Sequence, residues 1–557
     1  MIALSPDPKI AEQQMIGLIY TLTTFGYIDG EFDESERDYI EKYIARVIEH
    51  HANRTLENEP ESVRHEVIVR YQAHFQTVFE RMDRQIQNLW NEEVPKGESH
   101  ADFVRSRLEL RCYEIFKCFN VNEQKRLLET VDELLLADGV AHEAEVRFRR
   151  ELEEILSVHV DVSTEPRSEA PRVVVGPLVE MPSRERNHPL FESIEKPYPK
   201  RGEALNRVLH ADCNMLRRAM EILDRQRTAG AGKLDGAQSL TEFSGEAPFL
   251  DGHIYVVPPM RDRGYELTVV GDLHGCYSCL KAAVIQSNFF ERIRDYRGDP
   301  EHYPKPLLVF LGDYIDRGAF SFCGVVRGVV KLFIDYPDHV FVLRGNHEFY
   351  LESEEKIIPA VQPADGLYGL QKVAPFEVQR YYKLLFDSLA GALAFEQLLF
   401  VHGGIPKDST TAERIEDLSG LNNPHVRLQM MWGDPSSADV VPPQLQEQAS
   451  RFAFGRLQAQ AFLQRVGCHT MFRAHQKLEE GFARVFDDDQ VKLFTIFSSG
   501  GETNDDLPVF SNYRYVEPKA LTVRYRNGEV HIEPWNIDYQ TYNRPELNRF
   551  YEDEKGK

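Results

Sequence analysis

Four short apolar runs, at 267–270, 307–311, 340–343 and 398–401, each stop abruptly at residue types that bind metal ions. The first runs into Gly271-Asp272-Leu273-His274-Gly275 and the second into Gly312-Asp313-Tyr314-Ile315-Asp316-Arg317-Gly318. The third runs into Arg344-Gly345-Asn346-His347-Glu348 and the fourth into His402-Gly403-Gly404, while a later run supplies Arg473-Ala474-His475. Continuous Val, Leu and Phe without polar alternation predict strands buried on both faces, which present functional groups at their C-terminal ends. The successive spacings along Asp272, Asp313, Asn346, His402 and His475 are 41, 33, 56 and 73 residues, enough for crossover helices. One such motif carries little weight. Five in series constrain the chain to an α/β class.

The donor types select the ion. Asp, Asn and His without thiolate suit borderline divalent metals, Mn first, with Fe, Zn or Co as the others. Asp272 and His274 suit one ion, and Asn346, His402 and His475 a second. Asp313 is the natural bridge, since a carboxylate has two oxygens and paired ions need a shared anion. A two-metal centre of this kind lowers the pKa of a bridging water and neutralises oxygens that gain charge, which is what in-line phosphoryl displacement requires. His347 is then the candidate general acid, with Asp316 to orient it and keep it protonated. Arg317 offers a planar fork for phosphate oxygens; a plain salt bridge is its competing reading.

Composition narrows the rest. Eighty-nine acidic against 65 basic residues leave a net charge of −24, which repels phosphate backbones and argues against nucleic-acid binding. No uncharged apolar stretch is long enough to span a membrane. The N-terminus has no basic region followed by an apolar one, so no secretory signal is expected. Seven cysteines in 557 residues suit a reducing, cytoplasmic setting. Cys276 and Cys279 form a lone C-x-x-C with no second pair to complete a zinc site.

Residues 1–156 read as an all-α domain, with helical stretches near 8–27, 34–51, 99–118, 122–137 and 141–156. Tyr71, Phe75, Val78, Met82, Ile86 and Leu89 line one face of another helix. The pattern D-G-x-x-x-E-x-E occurs twice, at Asp29 to Glu36 and at Asp138 to Glu145. Helix termination and capping explain it, and a divalent-cation site is the alternative. The segments YTLTTFGYIDGEFDESERDYIEKYI and ELLLADGVAHEAEVRFRRELEEI resemble the TerB-like helical domains associated with tellurite resistance. Prolines across 157–200 predict an extended linker. Residues 201–250 read as an adaptor helix, with Leu205, Leu209, Leu216, Met220 and Leu223 on one side, and a Gly-rich connector. The catalytic stretch is expected over 251–535, followed by a polar tail, 536–557.

The motifs GDLHG, GDYIDRG, LRGNHE, HGG and RAHQ-x4-GF, in this order, resemble the catalytic domain of the phosphoprotein phosphatase (PPP) family, calcineurin-like metallophosphoesterases. The resemblance spans about 253–535. It implies a two-sheet α/β metallophosphoesterase sandwich flanked by helices, a phosphoprotein substrate and hydrolysis of phosphoserine or phosphothreonine esters. It assigns two metal ions to Asp272, His274, Asp313, Asn346, His402 and His475, the acid pair to His347 and Asp316, and phosphate contact to Arg317 and Asn346. Two departures stand out. The family's second phosphate-binding arginine lies several residues before an F-x-F-G-like stretch; here Arg451 directly precedes Phe452, so Arg451 is the candidate and Arg456 the alternative. Ser498-Ser499-Gly500-Gly501-Glu502-Thr503-Asn504 replaces the family's S-A-P-N-Y loop, so the loop's tyrosine is expected to be lost. A dinucleoside polyphosphate hydrolase, a calcineurin-like nuclease or phosphodiesterase, and a non-catalytic scaffold are the alternative functions. The helical domain is expected to serve regulation or docking, through a partner or a cation.

Overall fold

In the computed structural model, which describes residues 4–28, 32, 34–90, 92, 94–135, 143–158, 160, 162, 164, 171–260 and 262–556, the chain divides into two units. One is Met1–Asp161 with Ser436–Gly455, the other Val162–Pro435 with Arg456–Lys557. No helix among the described residues is long and apolar enough to cross a membrane.

The first unit holds α1 (Pro8–Gly26), α2 (Glu34–Thr55), α3 (Glu61–Leu89), α4 (His100–Lys117), α5 (Val121–Leu134) and α6 (Glu143–Ser157). Local chemistry starts these helices. Asp7 Oδ1 accepts from the N–H groups of Lys9 and Ile10 at 2.9 and 3.2 Å, and Asn120 with Glu123 closes a capping box on α5. On α3 the expected stripe buries Phe75, Val78, Met82 and Ile86, while Tyr71 faces solvent. Fully buried Phe25, Phe79, Phe116 and Phe148 centre the core, with Phe25 edge-on to Phe148 at 4.7 Å. Glu34 and Glu36 fall in the first turn of α2, and Glu143 and Glu145 in that of α6, where the helix N-terminus favours negative charge. Asp29, Gly30, Asp138 and Gly139, the other half of the paired loops, lie outside the described residues.

The segment Ser436–Gly455 completes this unit. Val441, Leu445 and Ala453 join its core, Tyr113 Oη donates to the Val440 carbonyl at 3.2 Å, and Ser436 Oγ donates to Glu114 Oε1 at 2.6 Å. The uninterrupted catalytic stretch expected over 251–535 is therefore divided. Its residues 436–455 pack with helices written some 300 residues earlier in the sequence.

Apart from a two-stranded hairpin, Tyr350–Ser353 with Lys356–Pro359, the second unit contains two sheets. Its strands are β1 (Arg172–Val175), β2 (Phe249–Asp251), β3 (Ile254–Val256), β4 (Tyr265–Val270), β5 (Lys305–Phe310), β6 (Val340–Val342), β7 (Ala392–Phe395), β8 (Leu398–Val401), β9 (Thr470–Arg473), β10 (Phe482–Asp487), β11 (Lys492–Ile496), β12 (Lys519–Arg526) and β13 (Glu529–Asn536). One sheet runs β1-β13-β12-β4-β5-β6 and the other β10-β11-β9-β8-β7-β3-β2. Buried side chains of both, such as Val269 and Phe310 from the first and Phe400 and Phe494 from the second, share one hydrophobic core. β4, β5 and β6 are mutually parallel, as are β8, β9 and β11. Within each set the C-terminal ends therefore lie along one sheet edge, where the glycine- and ligand-bearing loops begin.

The proline-rich stretch carries more order than an extended linker. Arg172–Val175 pairs in parallel with β13, and a short helix, α7 (Pro189–Ile194), buries Leu190 and Phe191. Prolines forbid helix interiors, but an edge strand flanked by Pro171 and Pro177 loses no ladder bond. Glu195, just beyond α7, is fully buried against the ammonium of Lys281; its Oε1 also accepts from Tyr277 Oη at 3.0 Å and its Oε2 from Arg549 N at 3.2 Å. The adaptor helix α8 (Glu203–Gly230) buries Leu205, Leu209, Leu216 and Leu223 and is clamped by Asp212, whose carboxylate accepts two bonds from Arg327 at 2.7 and 2.9 Å. The C-terminal segment also docks: Tyr542 is fully buried, Phe550 stacks on Phe320 at 4.6 Å, and Tyr551 Oη donates to Asp506.

Candidate metal centre

The backbone at the sheet edge is unusual before any side chain is considered. His274, Asp313, Asp316, Arg317 and His475 all adopt positive φ, between 42° and 67°, a region that costs a non-glycine residue on the order of 1–2 kcal/mol. Strain of this kind persists only where the surroundings impose it. Two glycines show how tight those surroundings are. A Cβ at Gly271 would lie 2.2 Å from the Ile496 carbonyl oxygen, and one at Gly345 would lie 2.1 Å from Asp313 Oδ1. At the first, the two sheets come within bridging distance, with Asp272 paired to Phe497.

The side chains from the five loops converge. Asp313 Oδ2 is 3.7 Å from His274 Nε2, 3.9 Å from His347 Nε2 and 3.4 Å from His402 Nε2. Asp272 Oδ2 is 3.8 Å from His274 Nε2, and Asp272 Oδ1 accepts from His475 N at 3.0 Å. The Asn346 amide meets His402 Nε2 at 2.8 Å, His475 Nδ1 at 3.1 Å and Asp313 Oδ2 at 3.2 Å. Two groups in particular could hold ions: His274, Asp313 and His347, and Asp313, His402 and His475. Asp313 belongs to both, which is the position a bridging carboxylate requires. The remaining imidazole nitrogens are fixed, His274 Nδ1 on the Ile315 carbonyl at 3.0 Å and His402 Nδ1 on the Leu311 carbonyl at 3.1 Å. Each Nε2 is thereby left with its lone pair toward the cluster.

The donor chemistry fits divalent cations. Asp272 Oδ2 is buried without a hydrogen-bond partner. The Asn346 amide can satisfy His402, His475 and Asp313 by turning its NH2 inward; with Oδ1 inward, the amide, two imidazoles and Asp313 instead offer lone pairs to one point, the donor set a cation requires. The titrations reflect the same charge problem. Burial, reinforced by Asp313, pushes Asp272 up to about 7. Burial works against the Asp313 charge as well, but the imidazoles of His402, His347 and His274 outweigh it and hold this carboxyl well below its usual range. Burial opposes protonation of His402, yet Asp313 and Asp272 raise it above the ordinary imidazole value.

Beside the cluster sits a dyad. His347 Nδ1 donates to Asp316 Oδ2 at 2.7 Å. Asp316 Oδ1 accepts from Gly366 N at 2.7 Å, and Asp316 N donates to Ser321 Oγ at 3.0 Å. His347 N donates to Asp313 Oδ1 at 3.1 Å, so His347 and Asp313 share one fixed frame. The expected ligands Asp272, His274, Asp313, Asn346, His402 and His475 thus come together with His347 and Asp316. Arg317 is half-buried on the same loop. Arg451 lies in the first unit with its Nη1 3.6 Å from Glu92 Oε2, and Arg456 pairs with Asp488 at 3.0 Å.

Three residues had gone unassigned. Glu348 is fully buried and accepts from Asp313 N, Tyr314 N and Gly345 N at 2.8–3.0 Å, which staples the Asp313 loop to the Asn346 loop; burial and Asp313 push it up to about 7. Asp434, in the Met431–Pro435 segment, accepts from Arg473 Nη2 at 2.9 Å and so fixes the strand end before His475. Tyr513, in the loop that follows Ser498–Asn504, lies with its ring edge-on to His274 at 5.3 Å. The Cys276 and Cys279 sulfurs lie 3.2 Å apart as free thiols, and Asn504 Nδ2 donates to Cys276 at 2.9 Å.

Residues 265–477 match the calcineurin-like phosphoesterase family. The serine/threonine-protein phosphatase 4 catalytic subunit of Saccharomyces cerevisiae is 28% identical over 235 residues, 41% of this chain and 68% of that protein. The phosphatase 6 catalytic subunit of Caenorhabditis elegans is 28% identical over 242 residues, 42% of this chain and 64% of that protein. A solved protein serine/threonine phosphatase from Saccharomyces cerevisiae, described as similar to human phosphatase PP5, aligns over 59% of this chain and 90% of its own at 18% identity and a TM-score of 0.35. The matched segment opens at β4 and closes just past His475, so it encloses the whole cluster. Residues 265–477 are thus similar to calcineurin-like phosphoesterases and, over much the same stretch, to serine/threonine phosphatase catalytic subunits, a likeness that implies a binuclear divalent metal centre.

Proposed function

We propose that the chain is a metal-dependent phosphoprotein phosphatase that hydrolyses phosphoserine and phosphothreonine monoesters. The observation that carries this reading is the His347–Asp316 dyad, fixed at 2.7 Å beside the Asp313-centred cluster, within a domain whose relatives bear serine/threonine phosphatase names. Asp272, His274 and Asp313 would hold one cation, and Asp313, Asn346, His402 and His475 the second. Two such ions, Mn foremost, would supply Lewis-acid charge and an activated water.

The chain's own residues do the rest. Arg317 and Asn346 orient the phosphoryl oxygens. His347 presents Nε2 to the leaving serine or threonine oxygen and donates its proton as the ester bond breaks. Asp316 holds the imidazole from the opposite nitrogen, fixing the tautomer and favouring the protonated form. Alkoxides are poor leaving groups, so this proton matters most for alkyl esters. Seven free thiols fit the reducing compartment expected for such an enzyme. The helical unit is assigned to regulation or docking.

Side-by-side turnover of a phosphoserine peptide and a dinucleoside tetraphosphate, with Mn added, tests the reading. Faster peptide hydrolysis is expected. Turnover of the dinucleotide alone would replace it with the nucleotide-hydrolase alternative.

A further inference from the structure

Away from the metal centre, two helices of the second unit leave a groove between them. α8 turns Leu205, Leu209 and Leu216 into the core, and α9 (Arg327–Asp335) does the same with Val329, Val330 and Phe333. Alongside, the two helices line a cavity of about 680 Å³. Ala204, Arg207, Val208, Ala211, Met215 and Arg218 face it from α8. Fourteen steps of helix from Ala204 to Arg218 make the groove about 21 Å long. Ile194 and Lys196, from α7 and the residues after it, and Lys331 and Ile334 of α9 complete the walls. Ala204 and Ala211 are exposed, and their small side chains leave room for another backbone to come close. A trough four helical turns long, walled by two helices, suits a third helix better than a compact ligand.

The charge of the groove runs against that of the chain, which carries −24 overall. Its lining holds five cations and one carboxylate, Asp212. Asp212 is taken up by Arg327 at 2.7 and 2.9 Å, and Lys331 pairs with Asp335 at 2.5 Å. The side chains of Lys196, Arg207 and Arg218 make no hydrogen bond or ion pair among the described residues. Arg207 and Arg218 stand about 16 Å apart along α8, so a single carboxylate cannot answer both. Between the cations the walls are aliphatic, from Ile194, Val208, Met215 and Ile334, and no aromatic ring lines the groove to stack a base. An apolar trough edged by separated positive charges calls for leucine-type side chains flanked by several acids.

We propose that the groove between α8 and α9 docks an amphipathic helix of a protein partner, with aliphatic side chains on one face and acidic residues beside them. The test uses the full chain and a fluorescein-labelled helical peptide of about 16 residues, or four turns, bearing leucines on one face and glutamates beside them. Versions with lysine for glutamate and with serine for leucine accompany it. By fluorescence anisotropy the glutamate–leucine peptide should bind saturably and more weakly as salt is added, and the other two about tenfold more weakly or worse. Arg207→Glu combined with Arg218→Glu should weaken binding about tenfold or more. Ala211→Trp, which fills the trough without changing charge, should do the same, and both variants should melt within about 2 °C of wild type. Absence of saturation, equal binding of the three peptides, or variants that bind as wild type does would each overturn the proposal. So would a dimer, seen by sedimentation without peptide and split by the paired arginine substitutions, since the occupant would then be a second copy of this chain.

Discussion

Both units bury apolar cores, but they differ in how much charge they bury in one place. The helical unit closes over phenylalanines, and its few buried acids include Asp83 and Glu109, each beside an arginine at 2.8 and 3.3 Å. The other unit gathers Asp272, His274, Asp313, Asp316, His347, Glu348 and His402 in one place, each at most 2% exposed. Burying so many ionisable groups is costly unless they are paired or bind cations. The first core is stabilised by its own packing. The second concentrates charge and backbone strain at a sheet edge, and depends on the surrounding framework to hold them there.

That contrast predicts where substitutions of charged residues matter. The largest effect should follow Asp313→Asn, since this carboxylate belongs to both candidate ion groups; a fall in kcat of about a thousandfold or more is expected, with reduced metal content by elemental analysis. Two ions per chain should be found in active wild-type protein, and a count of one or none would refute the shared-bridge arrangement. His347→Ala comes next, with kcat down about 10²–10⁴-fold while metal content holds. Its loss should shrink for an aryl phosphate, whose leaving group needs little protonation; equal losses on aryl and alkyl esters would strip His347 of the acid role.

The framework comes third. Glu195→Gln removes the countercharge of buried Lys281 and should destabilise the chain by about 3–5 kcal/mol, read by denaturant unfolding. A truncation that begins at residue 200 should suffer likewise, whereas one that begins at 171 keeps β1, α7 and Glu195. A smaller effect belongs to Asp506, which burial pushes up to about 6. Its native carboxyl binds a proton more readily than the unfolded one, so its contribution to stability falls as pH rises from about 4 to about 6, by up to about 3 kcal/mol. Asp506→Asn should remove that slope from metal-free protein; an unchanged slope would assign it to another group. The smallest effect is reserved for the helical unit. Neutralising exposed Glu34 and Glu143 together should cost about 0.3–1 kcal/mol each if they only favour helix N-termini, with no change in melting temperature on adding Ca or Mg. A cation-dependent shift that these substitutions abolish would give the helical unit a charged site as well, and weaken the contrast.

Much of the catalytic unit was legible because fully buried parallel strands advertise themselves as uninterrupted apolar runs that end in glycine and ligand residues. The helical stripe on α3 was legible for the analogous reason, although Tyr71 matches its period while lying exposed. What stayed hidden depends on distant contacts. Nothing local in 172–175 announces a parallel partner at β13, and prolines on either side suggest a linker. Glu348 sits in a recognisable motif, but its three backbone partners come from loops brought together only by folding. The position of Arg451 rests on a contracted spacing, and the segment that carries it belongs to the helical unit. Tyr513 was missed because nothing local in the sequence shows that its ring folds back onto His274.

The division of Ser436–Gly455 from the rest of its sequence neighbourhood bears on how the protein is made. The chain crosses between the two units three times, after residues 161, 435 and 455. A ribosome releases the six helices first, yet Val441, Leu445 and Ala453 belong to their core and emerge only after most of the other unit. At about 5–20 residues per second the wait is roughly 15–60 s. Throughout that interval the helices must persist with a gap in their packing. Synthesis order and assembly order therefore part company, and the oldest piece of the nascent chain is among the last to be finished.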